Sequence, residues 1–448
     1  MILLMENGTI KIKGTGGILL SYGIDNIQHL ETREAIRLRV NMYLGSNDTE
    51  GIYQALKEII NNSTDEALAG YGNKITVKVN EEKNEVTILD EGRGVPWGIK
   101  DGRNILVAIY TESHTGGKFD KGGYKNSSGL NGIGGTAVCM SSEYFSVASC
   151  RDGKIATASF EKGNLIDYKE VDNKDKLHTG TTIIFKPDIE VFKDMTDTYS
   201  YKRICKELKD ISYLNKGVRF IVTNENTDET EEFYSENGIA DFINDKIENP
   251  LMRRPIIVSQ SDGTDEIEVA FMWTKDPTQF YTFVNGLFCP ENGSPVTAAK
   301  RTFTTQIKKL SGKDFDPELI RKGLVFAVNC RVSEPSFANQ TKSKVNNPSL
   351  GTLTNAAIKQ GLEEFSNTAE FTTIIEMLKK IQSAEKAADK AREAVLSQNK
   401  EIEKGLKKKI VLAEKLADCR FHDDRSQLMI CEGEDLPILT FPFISGVI

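Results

Sequence analysis

Histidine is scarce in this chain. It has four in 448 residues, none spaced as a metal-binding pair, so no zinc site is expected. No apolar stretch approaches the roughly 18 residues needed to cross a bilayer. The opening Met1-Ile2-Leu3-Leu4-Met5 meets Glu6 at once and lacks a basic start, unlike a signal peptide. Seven cysteines are scattered, odd in number and never in a Cys-x-x-Cys pair, so free thiols in a reducing compartment are expected. These absences together predict a cytoplasmic protein. Cations are outnumbered too: 57 Lys and Arg stand against 65 Asp and Glu, a net charge of −8. A general nucleic-acid coat needs surplus cations, so only local basic patches could serve that purpose. The chain has no internal repeat, no low-complexity tract and no GxxxxGK[ST], which excludes a Walker A phosphate loop.

What is present is the composition of a globular protein, 39% hydrophobic and 27% charged, with length for about three domains. Residues 1–235 alternate helical and strand patterns with many glycines. Strand-like alternation returns at Glu266–Trp273 and Gly323–Val332, with helical stretches between. From 363 to about 412 the pattern is helical and charged, and Leu428–Cys431 turns strand-like. The pattern predicts two α+β domains, a long helix and the start of a further element.

Four motifs carry chemistry. In Gly51–Gly70, Ile52, Leu56, Ile59, Ser63 and Ala67 recur at helical spacing and predict a buried stripe. Glu58, Asn62 and Asp65 follow at steps of four and three and share another face. That face is either solvated or a ligand surface offering a carboxylate base and a neutral oxygen for Mg²⁺. The second motif is a hairpin, Lys74–Asp90, turning at 81–84. Asp90 has the parity of Val86 and Ile88 and points towards the core, which is costly without hydrogen-bond donors. It opens onto Gly92, Arg93, Gly94 and Pro96, which read either as a ligand-approach loop or as a plain glycine turn. The third, Thr115–Thr136, is a glycine-rich loop running into an apolar helix, which reads either as a phosphate-binding loop or as a plain flexible loop. The fourth, Thr179-Gly180-Thr181 before a strand, says nothing alone.

Their order is specific. A helix with Glu-x-x-x-Asn, a strand with Asp-x-Gly-x-Gly, a glycine lid and a Gly-Thr before a strand resemble the GHKL ATPases. Ile27-Gln28-His29-Leu30-Glu31, Met42-Tyr43-Leu44-Gly45-Ser46, Asp65-Glu66-Ala67-Leu68-Ala69-Gly70 and Gly116-Gly117-Lys118-Phe119 resemble the ATPase subunit of type IIA DNA topoisomerases. Phe283-Val284-Asn285-Gly286 and Gln340-Thr341-Lys342 look like that family's transducer, and Lys415-Leu416-Ala417-Asp418-Cys419 like the run-in to its Toprim domain. The likeness covers Tyr22 to about Glu434. It implies an α+β chain: a GHKL (Bergerat) sandwich over 1–235, a transducer over 236–400 including the start of a long helix, and a linker with a truncated Toprim beginning over 401–448.

Residue by residue, the resemblance makes Glu58 the general base and Asn62 the Mg²⁺ ligand. It makes Asp90 the acceptor from the adenine amino group, with Thr181 in support. Asp65, Glu66, Arg93, Gly94 and Pro96 line the adenine side. Lys118 and the backbone at Gly129, Leu130, Asn131, Gly132, Ile133 and Gly134 form the phosphate lid. Lys342, with Gln340 beside it, reaches the γ-phosphate, and Tyr22 enters the partner protomer's site. The implied cofactors are ATP and Mg²⁺. The implied partners are double-stranded DNA, a second copy on ATP binding, an A-type subunit with the active-site tyrosine, and a separate chain completing Toprim.

Several positions depart from the bacterial pattern. Arg39-Val40-Asn41 stands for Arg-Pro-Gly, and Tyr53-Gln54 replaces a His pair one turn before the base, so the auxiliary role of that His is expected to be missing and turnover slow. Asn131 stands where bacterial enzymes have His, which points to a phage-type or mobile-element relative. Glu432 matches the first Toprim acid, but the Asp-x-Asp ligands do not follow, and one carboxylate cannot hold the cleavage Mg²⁺. Cleavage is therefore expected from other chains. The alternative function is an ATP-dependent DNA- or protein-binding clamp without topoisomerase activity. The Gln-Thr-Lys and Lys-Leu-Ala-Asp-Cys signatures argue against a chaperone, mismatch-repair protein or histidine kinase.

Overall fold

The computed structural model describes residues 2–6, 9–13, 30–113, 115, 132–175, 177–339 and 342–409, with backbone alone at 2–6, 9–13 and 394–409. Residues Met1–Ile375 form one compact unit and Glu376–Ile448 another. Strands β1 (Ile2–Glu6) and β2 (Thr9–Lys13) pair antiparallel. Short helices α1 (Thr32–Leu38) and α2 (Asn41–Leu44) precede α3 (Thr49–Leu68). Asp48 starts α3: its carboxylate accepts from the N–H groups of Glu50 and Gly51, two donors that a helix start leaves open. Ile52, Leu56, Ile59 and Ser63 are buried as the spacing predicts, and Ala67 is half-buried.

That stripe packs on an eight-stranded sheet. Its strands are β3 (Lys74–Asn80), β4 (Glu85–Asp90), β7 (Ser142–Arg151), β8 (Lys154–Glu161), β9 (Asn164–Asp172), β10 (Gly180–Pro187), β11 (Arg219–Asn224) and β12 (Thr230–Phe233). Their order is β12-β11-β3-β4-β10-β7-β8-β9. The expected hairpin is β3–β4, with Asn84 at φ 53°, a turn conformation that Asn tolerates. Val86, Ile88 and Asp90 are all buried, so Asp90 does face inward. A small ribbon, β5 (Ile99–Lys100) with β6 (Arg103–Asn104), leads to α4 (Ile105–Thr111), and α5 (Gly134–Ser141) packs against both α3 and α4. Helix α6 (Tyr201–Leu214) delivers β11 parallel to β3. Val77, Ile88, Val147 and Phe185 meet Leu56 and Ile59 in one apolar cluster.

The second sheet has the order β13 (Ile256–Ser261), β14 (Glu266–Trp273), β17 (Leu324–Arg331), β15 (Gln279–Val284), β16 (Leu287–Phe288). Around it lie α7 (Ile239–Lys246), α8 (Ser294–Ser311), α9 (Pro317–Arg321) and α10 (Pro348–Phe365), and α11 (Ala369–Lys409) follows. Phe303 of α8 packs on Phe271 and Phe326, while Phe242 of α7 packs on Tyr281 and Phe283, whose register puts them on the opposite face. With both faces covered, β17 is buried at every residue but the last. The alternation expected there is absent, because a doubly covered central strand is apolar throughout. The charged helical stretch expected from 363 is the end of α10 and then α11. The two sheets are tied at α6, where Asn329 Nδ2 donates to the Leu214 carbonyl at 3.1 Å and Lys246 pairs with Asp210 at 3.0 Å.

Candidate functional site

Helix α3 supplies one wall. Glu58 is half-buried, and its Oε1 accepts from Gln54 Nε2 one turn earlier at 3.1 Å. A neutral amide thus stands one turn before Glu58 and bonds it. On the other side, a Cβ at Gly134, the first residue of α5, would lie 2.3 Å from Glu58 Oε2. The carboxylate is thus held between an amide and a helix start that has no side chain to obstruct it. Asn62 sits one turn further and is half-buried, and Asp65 is buried.

The floor is Asp90. Its Oδ1 accepts from the N–H groups of Gly92 (2.9 Å) and Thr181 (3.1 Å), and its Oδ2 from Ser63 Oγ (3.0 Å). The inward carboxylate therefore has the donors that its burial requires. Oδ2, with one partner here, is the oxygen with a lone pair to offer a ligand. Burial still pushes Asp90 above the ordinary carboxylate value, against the pull of these donors. Thr181 engages through its backbone rather than its hydroxyl. Ser63, which the spacing assigns only to the apolar stripe, is the residue that sequence reasoning missed, because a serine at a buried helical position gives no sign of its partner.

Glycine is obligatory beside this floor. Gly180 has φ 153°, and a Cβ there would lie 1.9 Å from the Asp90 carbonyl oxygen. Gly180→Ala is expected to cost more than ~3 kcal/mol of stability, since backbone meets backbone and neither can yield. Denaturant unfolding measures this, and an unchanged midpoint would mean that β10 and β4 part easily at this point. Around the rim, Glu66 grips Arg93 through two side-chain bonds, 3.0 and 2.9 Å, and Arg93 lies 3.9 Å over the Tyr71 ring. Gly94, at φ 77°, passes against the Cys150 carbonyl, and Pro96 is exposed.

Gly132 (φ 58°), Ile133 and Gly134 lead into α5 beside Glu58. Lys342 lies in the second sheet's part of the chain, between β17 and α10. Tyr22, Lys118, Gly129, Leu130, Asn131, Gln340 and Glu432 lie outside the described residues.

Comparison with known proteins fits this geometry. Residues 47–191 match the model of the histidine kinase-, DNA gyrase B- and HSP90-like ATPases, and residues 238–394 that of DNA gyrase B. DNA gyrase B of Thermus thermophilus is 32% identical over 433 residues, spanning 93% of this chain and 67% of that protein. The chain belongs to the DNA gyrase B family. Another member, from Synechocystis, is 34% identical over 92% of this chain but only 40% of its own length. The chain spans 66% of the Staphylococcus epidermidis relative. Among solved structures, the 43K ATPase domain of Thermus thermophilus gyrase B in complex with an aminocoumarin superposes with a TM-score of 0.69 at 28% identity, covering 82% of this chain and 98% of that one. A topoisomerase IV ATP-binding domain from Francisella tularensis gives 0.64 at 26% identity, covering 79% and 98%. In this gyrase B-family chain, Glu58, Asn62, Asp90 and Thr181 all fall in the first matched segment and Lys342 in the second. No described helix is long and apolar enough to cross a membrane.

Proposed function

We propose that this chain binds and hydrolyses ATP as the clamp subunit of a type II DNA topoisomerase, closing as a dimer to capture and pass a duplex. The observation that carries this is the buried, three-donor Asp90 carboxylate beneath a glycine rim, one helix away from a held, half-buried glutamate. In this reading Asp90 accepts from the adenine amino group, with Thr181 and Ser63 fixing it. Asp65, Glu66, Arg93, Gly94 and Pro96 shape the adenine side. Glu58 takes the proton of the attacking water, and the start of α5 at Gly132, Ile133 and Gly134, with Lys118, Gly129, Leu130 and Asn131 before it, wraps the phosphates. Lys342 and Gln340 meet the γ-phosphate, and Tyr22 reaches the second copy.

Among the described residues no three His, Cys, Asp or Glu side chains are grouped to hold a metal. That suits Mg²⁺, which binds through substrate phosphates and one or two protein oxygens, here Asn62 Oδ1. Bound there, Mg²⁺ would neutralise the charge of the triphosphate. The domain layout follows the same reading: ATPase 1–235, transducer 236–400, then 401–448 as a linker and Toprim beginning with Glu432 as its first acid. DNA cleavage is assigned to an A-type subunit with the active-site tyrosine and a chain completing Toprim.

The test is oligomeric state. A clamp that uses the γ-phosphate should be monomeric alone and with ADP, and dimeric with a non-hydrolysable ATP analogue, because only a ligand with differential affinity shifts such an equilibrium. Light scattering in the three conditions reads it. A monomer throughout would refute the clamp. Dimerisation without DNA relaxation, on mixing with A-type and Toprim chains, would favour a clamp of another purpose.

A further inference from the structure

Lys342 is one of the few non-glycine residues held at positive φ, 56°. Such a backbone persists only where its surroundings over-determine it. Two side chains do this from either side of Ser343. The Lys342 N–H donates to the Asn339 carbonyl at 3.2 Å. The Asn339 side chain then brackets the next residue: its Oδ1 accepts from the Ser343 N–H at 3.0 Å and its Nδ2 donates to Ser343 Oγ at 2.7 Å. Glu291, in the turn between β16 and α8, grips Ser343 from the other side. Its N–H donates to the Ser343 carbonyl at 2.9 Å, and its carboxylate accepts from Ser343 Oγ at 2.5 Å. Ser343 is itself buried.

The anchor is rigid. Glu291 precedes Asn292, whose Oδ1 accepts from Thr282 on β15 at 3.0 Å, and Gly293, where a Cβ would lie 2.0 Å from the Val345 carbonyl oxygen. Helix α8 starts at the next residue. The turn bearing Lys342 is therefore fastened to the sheet and to a helix start.

We propose that Glu291 and Asn339 are positioning residues, a two-sided brace on Ser343 that sets the Lys342 backbone before nucleotide arrives. This rests on the reading that Lys342 meets the γ-phosphate. Without the brace the turn can leave its left-handed conformation, and ordering it again falls on the ligand that needs Lys342. The brace should thus matter for ATP and not for ADP.

The experiment measures affinity for a non-hydrolysable ATP analogue and for ADP, in the full chain, with thermal melting alongside. Lys342→Ala is expected to lower the ratio of the two affinities by about tenfold or more, with ADP binding unchanged. Glu291→Ala and Asn339→Ala should each lower it about fivefold, and Glu291→Gln, which keeps the acceptor, should restore it to within about twofold. Adding Glu291→Ala to Lys342→Ala should change nothing further, since the brace acts only through that lysine. If both brace variants keep the full ratio, lose both nucleotides equally, or add to the loss from Lys342→Ala, the brace is overturned while the role of Lys342 stands. If Lys342→Ala itself keeps the ratio, the assignment of Lys342 falls, and the brace with it.

Discussion

Glu58→Ala is expected to reduce ATP hydrolysis by at least ~100-fold while nucleotide affinity stays within about threefold. The two effects separate because the proposed adenine floor and Glu58 are distinct parts of the site. Asp90 is tied to Gly92, Thr181 and Ser63, whereas Glu58 touches Gln54 and the start of α5. Alanine leaves the floor untouched and removes the group proposed to receive the proton from water. Glu58→Gln sharpens the comparison, because it keeps the bulk against Gly134 but cannot take a proton. Phosphate release and calorimetry on the same preparations decide it. Parallel loss of binding and turnover from Glu58→Gln would mean that Glu58 is structural.

The second large effect belongs to Asp90→Asn. Asparagine can keep the fold, since its one oxygen can still accept from Gly92 and Thr181 and the Ser63 hydroxyl can turn round to accept from the new amide. What it cannot do is accept at the second position, where the adenine amino group would meet another donor. A buried mismatch of about 1–3 kcal/mol corresponds to roughly 5- to 150-fold weaker ATP binding. The same residue sets a pH dependence. Burial raises Asp90 above its ordinary 3.8, so the carboxylate proposed to accept from adenine is lost sooner as the solution is acidified. ATP affinity should therefore fall as pH drops through that raised value, and the Asn variant should lack this limb. Stability runs the other way: the unfolded chain releases this proton more readily, so folding stability declines as pH rises from 3.8 through the raised value. Calorimetric affinities across acidic pH test the first of these. Equal affinity for wild type and variant would remove Asp90 from adenine recognition.

Much of the site could be read from local periodicity. The α3 stripe, the β3–β4 hairpin and the inward turn of Asp90 depend on spacings of three, four and two, which a sequence displays directly. What could not be read depends on partners far along the chain. Nothing near Ser63 says that its hydroxyl will bond the Asp90 carboxylate, 27 residues further on. Gly180 looks like an ordinary turn glycine until the Asp90 carbonyl is seen against it, 90 residues away in sequence. The burial of β17 on the α7 side was hidden for the same reason: four strands and two helices separate α7 from it in the chain. The sequence shows what a segment can bury but not how many of its faces will be covered.

The parallel pairing of β11 with β3 bears on the order of synthesis. Strand β3 leaves the ribosome roughly 140 residues before its neighbour, and until Arg219–Asn224 arrives one of its edges has no strand to pair with. Strand β10, which brings Thr181 to Asp90, also comes late, with about 90 residues between them. So long a separation makes closure slow compared with hairpin formation. The nascent chain holds Glu58, Asn62 and Asp90 well before it has the strands that turn them into a pocket. The half-made sheet must therefore avoid edge pairing with other chains until residue 224 has emerged.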